Sequence, residues 1–560
     1  MSIHGLPNRT QAQISRSAIE RLYIAMRHLF IRGSYKPLGI SGEAMVEALK
    51  TLQPEIYGSL SDPEKIELDG LLYVMQRLPK GIESCRFIKL ISREGLEQTD
   101  FKPIIPPKRR RKCYRVDEEQ MYIEMTRGRS DIYDVLTHLT YLYIEAEKIR
   151  NNSEDHKGRK TREWINLEKR VLEGDQTERN KEIDLTYLSS LIGRTFEETK
   201  FAAQKFESDG EINDLFTIVY HLGKLSSEEA LEGKDREIWF SAALRDRVGH
   251  HYYGEQWAKN IHQFLLSKNW FSKNIHIISA NPHSVMNCLY AQAAIGKDYP
   301  KLGIVSLAEE IIKDKTGTLQ SKIKNLATKN GMYELDDTSG TNISVQIFDL
   351  SQVVQPNKEI NLDNSIMENT LLIVMDYAFG EQAYETMDEL IKPVQTNEGD
   401  LALKVSSISI MGKAGILEGV KGDIMVPNAH IFEGTADNYP YKNELNKEDF
   451  EGSSNRVYSG PMITVLGTSL QNKDILKYFL ESSWKAIGLE MEGAHYQKAI
   501  QAASKIRKSI PQDVKLCYAY YASDNPLQTG HTLASGSLGV DGVRPTYDIT
   551  KVILNKILTP

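Results

Sequence analysis

The stretch VKLCYAYYASD, residues 514–524, is a run of mostly apolar and aromatic side chains that ends in Ser523-Asp524. A buried strand that stops at a polar pair is typical of α/β domains, in which ligands bind at the carboxyl ends of strands. Short apolar runs alternate with helical stretches from about residue 270 onward, and they lie at 275–280, 371–376, 405–411, 423–426, 462–466 and 487–491. This succession predicts an α/β domain with a mixed or mostly parallel sheet.

The first half of the chain has a different pattern. Apolar residues recur at three- and four-residue spacing over residues 15–30 and 132–149, which is typical of amphipathic helices. Few segments before about residue 245 alternate with a period of two. We therefore predict a mainly helical domain over residues 1–245, with a regulatory or oligomer-contact role, followed by a catalytic domain over residues 246–560.

The composition excludes several classes of protein. Hydrophobic residues make up 41% of the chain and charged residues 26%, as in ordinary globular proteins. The net charge of −7, from 69 basic and 76 acidic residues, gives no overall positive field for nucleic acid. Four cysteines lie far apart, which predicts buried thiols in a reducing compartment. The polar N-terminus, and the lack of an apolar run of about 18 residues, predict a cytoplasmic protein without a membrane partner.

A proline- and arginine-rich stretch interrupts the helical half. KPIIPPKRRRK, residues 102–112, contains three prolines and then five consecutive basic residues. Proline is excluded from helix interiors, so the stretch is predicted to be a loop or linker. The basic run could contact nucleic acid or a polyphosphate. A solvated linker is the commoner role, and we expect no nucleic-acid partner.

Two predicted strand ends in the second half carry glycines. The strand 371–376 runs into a turn containing Gly380 and then a helix, whose first N–H groups suit an anion or a sugar edge. The strand 405–411 is predicted to end in a GKAG turn, residues 412–415. Glycines there allow close approach to the backbone, and Lys413 would either meet a phosphate or carboxylate or stay in solvent.

Two further segments carry carboxylates. If IGLEME, residues 487–492, is a strand, Glu490 and Glu492 share one face, and ribose hydroxyls are suitable partners because carboxylates accept their hydrogen bonds. If the segment is an exposed helix, both are surface charges. Asp524, at the end of a buried strand, would either cap the next helix or act as a general acid.

Taken in order, these motifs resemble those of the purine nucleoside phosphorylase and nucleosidase superfamily. The family pattern is a Gly-x-Ala-Gly turn, a Gly-Asp strand start, a Glu-Met-Glu segment and a final Ser-Asp. Here these are residues 412–415, 422–423, 490–492 and 523–524. The resemblance covers about residues 245–560. It implies a three-layer α/β/α phosphorylase-like domain with a central mixed sheet, and a homo-oligomer.

Within the superfamily the sequence is most similar to the AMP nucleosidases. The similar stretches are SDNPL at 523–527, HYYG at 251–254, and Asn281 just after the predicted strand 275–280. The reaction implied is hydrolysis of the N-glycosidic bond of a purine nucleotide, most closely AMP to adenine and ribose 5-phosphate. Phosphorolysis, ATP or a free nucleoside as the substrate, and a non-catalytic nucleotide-sensing module remain alternatives.

The resemblance also implies roles for individual residues. Asp524 would hydrogen-bond or protonate purine N7, Glu492 would bind the ribose hydroxyls, and Met491 would pack against the sugar. The other implied substrate-binding residues are Glu490, Gly412, Lys413, Ala414, Gly415, Gly380, Thr468, Ser469, Ser523 and Asn281. No metal and no cofactor are implied.

Two features depart from the family pattern. Lys413 stands where the family often has a small or neutral residue, and its charge could favour a phosphorylated ribose or alter the site. A long polar insertion lies between Lys315 and Glu368 and contains ELDDTSGT, residues 334–341. The sequence alone does not place this insertion relative to the site.

Overall fold

The computed structural model describes residues 10–155, 157–173, 178–397, 399–435, 437–528 and 538–559. Contacts between Cα atoms divide the chain into two compact units. The first comprises residues 1–250 with 469–475, and the second comprises residues 251–468 with 476–560. The short segment 469–475 thus belongs to the first unit although its neighbours in sequence belong to the second.

The first unit combines helices with a five-stranded sheet. Its helices are α1 (Gln11–Arg32), α2 (Ile40–Leu52), α3 (Leu68–Met75), α4 (Gly128–Ser153), α5 (Arg162–Glu173), α6 (Glu178–Ile192), α7 (Phe196–Asp209), α8 (Leu215–Glu232) and α9 (Ala242–Gly249). Its strands are β1 (Ser34–Tyr35), β2 (Phe87–Ile91), β3 (Cys113–Arg115), β4 (Gln120–Glu124) and β5 (Glu237–Phe240).

The first unit is built mainly of helices, and it also contains a sheet. The helical patterns at 15–30 and 132–149 lie in α1 and α4 as expected. The strands, in the order β1-β5-β2-β4-β3, were not predicted. β2 pairs in parallel with both β4 and β5. Each strand has only two to five residues, which is too short for a period of two to stand out among helical sequence.

The basic stretch 102–112 is fastened to α4 and is not a solvated linker. Arg109 donates hydrogen bonds to the two carboxylate oxygens of Asp134 at 2.9 and 2.7 Å. Arg111 is buried and donates to Asp131 at 3.0 and 2.8 Å. The basic residues on either side of these two arginines are exposed. Buried charges require such partners. Arg109 and Arg111 therefore stabilise the fold of the first unit.

The remaining elements lie mainly in the second unit. The helices are α10 (Tyr252–Ser267), α11 (Pro282–Ile295), α12 (Ile304–Lys313), α13 (Thr318–Lys329), α14 (Asn364–Met367), α15 (Gln382–Leu390), α16 (Lys473–Glu481), α17 (Gly493–Gln501) and α18 (Val543–Ile557). The strands are β6 (Asn274–Ser279), β7 (Met332–Leu335), β8 (Val345–Asp349), β9 (Thr370–Met375), β10 (Val394–Thr396), β11 (Gly399–Leu401), β12 (Val405–Ile416), β13 (Ile424–Phe432), β14 (Asn438–Pro440), β15 (Val457–Thr464), β16 (Gly488–Glu490) and β17 (Lys515–Asp524).

A ten-stranded mixed sheet organises the second unit and confirms the α/β prediction. Its order is β14-β13-β15-β16-β12-β6-β9-β8-β7, and β17 pairs with both β12 and β13. The pairings β12–β16, β16–β15, β15–β13, β13–β17 and β17–β12 form a closed circuit. One end of the sheet is therefore rolled into a small barrel, whereas β6, β9, β8 and β7 extend as an open sheet.

Helices pack on both faces of the open part of this sheet. Leu372 and Val374 of β9 belong to a core that contains residues of α11, α12, α13 and α18. Leu371 and Ile373 belong to a second core with residues of α10, α15 and α17. A strand buried on both faces is apolar along its whole length, and for this reason the runs at 275–280 and 371–376 are visible in the sequence.

Candidate active site

Parallel strands bring most of the predicted site residues to one edge of the sheet. β9, β6, β12 and β17 are parallel neighbours in that order, so their carboxyl ends lie together. The turn with Gly380 follows β9, Asn281 follows β6, and Ser523-Asp524 closes β17. The loops that the sequence analysis singled out therefore converge, although they are far apart in sequence.

The segment 412–415 is not a turn, which corrects the prediction made for Gly412, Lys413, Ala414 and Gly415. β12 continues through all four residues to Ile416. Its pairing with β17 shifts register between Ala414 and Gly415. Glycine inside a strand is typical of such a bulge. The buried part of the segment is Gly412, Ala414 and Gly415, whereas Lys413 is exposed.

Gly415 lies between the strands that carry the two carboxylate motifs. It stands opposite Asp524 of β17 on one side and opposite Leu489 of β16 on the other. Neighbouring strands are about 4.8 Å apart. The register therefore places the backbone of Leu489, the residue before Glu490, about 10 Å from that of Asp524.

Asp524 is fully buried at the end of β17. The Ser523 hydroxyl lies 2.5 Å from Asp524 Oδ1 and 3.1 Å from the carbonyl oxygen of Ala414, with hydrogen-bond geometry to both. On the other side, Asn525 donates to the carbonyl oxygen of Gly419 at 3.0 Å. Both neighbours of Asp524 are thus tied to the strand end and to the loop that follows β12.

Asp423 of the Gly422-Asp423 pair holds this strand end by hydrogen bonds. The carboxylate of Asp423 accepts backbone N–H groups of Val420 at 2.9 Å and Arg456 at 3.2 Å. Its carbonyl oxygen accepts the N–H of Ala522 at 2.8 Å. Asp423 therefore joins the start of β13 to the end of β17, two residues before Asp524.

Glu490 and Glu492 have different surroundings, because the predicted strand 487–492 ends at Glu490. Glu490 is buried, and its Oε2 accepts the backbone N–H groups of Glu492, at 2.5 Å, and of Gly493. Glu492 is half-buried and occupies the cap position before α17. The two carboxylates do not share the face of a strand, because the strand ends at Glu490 and the chain turns before α17 begins.

A histidine and a tyrosine lie behind Glu490. His430 Nδ1 is 3.5 Å from Glu490 Oε1, and His430 Nε2 is 3.0 Å from the hydroxyl of Tyr441. Burial acts to raise the pKa of Glu490, but the nearby charge of His430 and hydrogen bonds from Thr464 and the Gly493 N–H hold that pKa below its ordinary value. Glu490 is therefore held in its ionised form.

The carboxylate of Glu492 reaches the turn after β9. Its Oε1 accepts the backbone N–H of Gly380 at 2.8 Å. Gly380 has a φ of 55°, a conformation that glycine adopts without steric cost. The structure thus brings together two residues that the sequence analysis had assigned separately to the site.

The buried side chain of Gln382 holds the Gly380 turn in place by hydrogen bonds. It is buried, its Oε1 accepts the N–H of Phe379 at 3.1 Å, and its Nε2 donates to the carbonyl oxygen of Thr341 at 2.8 Å. Thr341 belongs to a loop in which Asp337 accepts the N–H groups of three later residues at 3.0, 3.0 and 2.7 Å. The polar insertion thus lies against the Gly380 turn.

The remaining predicted residues have mixed positions. Asn281 caps α11 by accepting the N–H of His283 at 3.0 Å, and Met491 is buried between the two glutamates. Thr468 belongs to the second unit, whereas the buried Ser469 belongs to segment 469–475 of the first.

Two features are absent from the described residues. No group of three or more histidine, cysteine, aspartate or glutamate side chains in this part of the chain could hold a metal ion. Nor does any described helix combine the length and the apolar character needed to cross a membrane. All four cysteines are buried free thiols.

Family comparison decides the membership of this chain. The model that matches is described as "Family of unknown function (DUF6909)", and it covers residues 43–300 and 304–559. The chain belongs to this family. A comparison with the curated proteins finds no match.

Among solved structures, this family member is similar to several nucleosidases at low identity. A futalosine hydrolase mutant of Helicobacter pylori is 13% identical with a TM-score of 0.30, over 51% of this chain and 98% of that one. The 5'-methylthioadenosine/S-adenosyl homocysteine nucleosidase of Campylobacter jejuni is 12% identical with a TM-score of 0.31, over 51% and 99%. The MTA/SAH nucleosidase of Streptococcus pneumoniae with 8-aminoadenine is 12% identical with a TM-score of 0.29, over 50% and 99%. At such values no activity transfers from these proteins.

Several residues that hold the site were not singled out from the sequence. His430, Thr464 and Gln382 come from three separate segments, and none belongs to a recognisable motif. Thr464 gave the one usable signal, because it is a polar residue at the centre of the apolar run 462–466. A buried polar group in such a run needs a hydrogen-bond partner, and here that partner is Glu490.

Proposed function

We propose that this chain is a purine N-glycosidase that hydrolyses AMP to adenine and ribose 5-phosphate. The observation that carries the proposal is the convergence of two carboxylates at one sheet edge. Asp524 is buried at the end of β17, and Glu492 is held by Gly380 at the end of β9. A purine nucleoside presents N7 and its ribose hydroxyls at different ends, so two separated carboxylates suit it.

Asp524 supplies the proton in this proposal. Adenine is a poor leaving group as an anion, and a proton placed on N7 lets it depart as a neutral base. The bond between N9 and the anomeric carbon breaks, its electron pair goes to the base, and the sugar becomes oxocarbenium-like. General acid catalysis of this kind contributes about 10² to 10⁴ in rate, or about 3 to 5 kcal/mol.

Glu492 binds and stabilises the sugar. Its carboxylate accepts hydrogen bonds from the ribose hydroxyls and lies close to the positive charge that develops on the ring. Water then attacks the anomeric carbon, and the proton that it loses returns through solvent to the Asp524 carboxylate, which completes ribose 5-phosphate and restores the acid. Because Gly380 holds Glu492 at 2.8 Å, this carboxylate is already in place before the sugar binds.

The choice of AMP rests on sequence similarity alone, at residues 251–254 and 523–527. Chromatography of the free base released from AMP, ATP, adenosine, inosine and methylthioadenosine, with and without phosphate, tests it. We expect adenine from AMP without phosphate. Release only with phosphate would mean a phosphorylase, release from another substrate would change the specificity, and binding without release would indicate a nucleotide sensor.

A further inference from the structure

We infer that Glu490 is a positioning residue that fixes the carboxylate of Glu492 and does not itself contact the substrate. The inference rests on the proposed function, in which Glu492 binds the ribose. It also changes the role that the sequence implied for Glu490, which was substrate binding.

The oxygen atoms of Glu490 are occupied by the protein. Oε2 accepts the N–H groups of Glu492 and Gly493, and Oε1 accepts the Thr464 hydroxyl at 2.5 Å with His430 Nδ1 at 3.5 Å. The side chain is only 3% exposed. A carboxylate has about four lone-pair directions, and four protein groups already face this one. Ribose hydroxyls would have to displace them.

These contacts determine where Glu492 points. The N–H groups of Glu492 and Gly493 lie at the start of α17, where helical partners are missing. Glu490 accepts hydrogen bonds from both N–H groups and so fixes the backbone at the cap position, where Glu492 has a φ of −120° and a ψ of −25°. From there the Glu492 side chain reaches the N–H of Gly380 at 2.8 Å. Glu490 thus anchors the backbone of Glu492, and Gly380 anchors the carboxylate of Glu492.

The packing around Glu490 leaves little room for rearrangement. A Cβ atom added to Gly493 would lie 2.3 Å from the His430 ring and 2.8 Å from Glu490 Oε1. The ring of His430 is itself stacked on Tyr441 with centroids 5.5 Å apart. A neutral amide in place of the Glu490 carboxylate would direct an N–H₂ group at one of its present donors, and the turn would have to shift.

A double-mutant cycle separates positioning from direct contact. The variants are Glu490→Gln, Glu492→Gln and their combination. Asp349→Asn is the control. Asp349 is a buried carboxylate at the opposite edge of the sheet, and it accepts a hydrogen bond from Lys273 Nζ at 2.9 Å. Each is assayed for base release with AMP, and kcat and KM are measured separately.

Glu490→Gln is expected to lower kcat/KM on the order of 10- to 100-fold, since misplacement of a binding group by about 1 Å costs up to 10². The double variant is expected to be no worse than Glu492→Gln alone. Asp349→Asn is expected to retain wild-type kcat and KM. Losses that multiply in the double variant would overturn the inference while leaving the proposed function intact.

A milder pair of variants covers the case in which Glu490→Gln does not fold. Thr464→Val removes the hydroxyl that donates to Glu490, and Thr464→Ser keeps it. We expect the valine variant to lose kcat/KM and the serine variant to stay near wild type. Equal activity of the two variants would contradict the inference.

Hydrogen exchange gives a readout that does not depend on activity. If the wild type releases no base from any substrate, the proposed function fails, and exchange at the amides of Glu492 and Gly493 decides the inference. Faster exchange there in Glu490→Gln, or in Thr464→Val if that variant alone folds, but not in Asp349→Asn, supports an anchoring role for Glu490. Unchanged exchange overturns it.

Discussion

Glu490 and Glu492, the two glutamates of one short motif, have different environments in this structure. Glu490 is buried and accepts hydrogen bonds from Thr464, Glu492 and Gly493, whereas Glu492 is half-buried and reaches the Gly380 turn. The sequence implied ribose binding for Glu492 and also placed Glu490 among the substrate-binding residues. The distinction depends on Thr464 and His430, which approach from other strands.

Replacement of Glu492 by glutamine should impair the reaction with little effect on folding. The amide keeps the shape of the side chain and can still accept the Gly380 N–H. It loses the negative charge that stabilises the developing positive charge of the ribose. We expect kcat/KM to fall about 10²- to 10³-fold, as measured by steady-state release of adenine. Activity within twofold of wild type would exclude this role.

The lowered pKa of Glu490 predicts an acid dependence of stability. Its pKa in the folded protein lies below the ordinary value of 4.5, so the folded state binds fewer protons than the unfolded state in that range. The stability that the ionised group contributes is present above pH 4.5 and is lost as the pH falls through the folded pKa. Urea unfolding should show that wild type and Glu490→Gln differ less at acidic pH than at neutral pH. A constant difference would contradict this linkage.

At the level of single elements, burial on both faces decided which strands were predictable. β9 is apolar except for its first residue, β6 carries an apolar core at Ile275, Ile277 and Ile278, and both were found within one residue. The course of β12 through two glycines was not predicted. It depends on pairing with β17 and β16, which lie some 70 to 110 residues further along the chain. Strand formation follows such neighbours more than intrinsic preference.

The start of α17 should tolerate no side chain at residue 493. An added methyl group would lie 2.3 Å from the His430 ring, and overpacking of this kind costs about 1 to 3 kcal/mol. We expect Gly493→Ala to lower the free energy of unfolding by that amount in urea titrations. Gly249→Ala is the matched control, because an added Cβ there meets nothing within 4 Å. If both variants are equally stable, the packing described around Glu490 is wrong.

For the molecule as a whole, the sequence predicted the sheet of the second unit and missed that of the first. The five short strands of the first unit carry little signal of their own. Its arginine-rich stretch, expected in solvent, is instead paired with Asp131 and Asp134. Charge patterns alone cannot show such pairing, because the aspartates lie on α4 about 20 residues later. A homo-oligomer and a cytoplasmic location remain predictions.

Loss of one aspartate should therefore destabilise the first unit. Asp134 accepts hydrogen bonds from both Arg109 and Arg111. Removal of one partner from a buried ion pair costs about 3 to 5 kcal/mol, so Asp134→Asn should unfold at clearly lower urea concentration. Asp155→Asn, which breaks the exposed pair with Arg159, should change stability little. Equal midpoints for the two variants would show that the buried pairs contribute nothing.

The most direct test of the central claim is release of adenine from AMP by wild type and Asp524→Asn, followed by chromatography without added phosphate. Asparagine keeps the size of the side chain and cannot give its proton to N7. We predict adenine and ribose 5-phosphate from the wild type, and a rate lower by about 10² to 10⁴ in the variant, with the same unfolding midpoint. Equal rates in the two proteins would contradict the assignment of Asp524 as the acid. No adenine from either would contradict AMP hydrolysis.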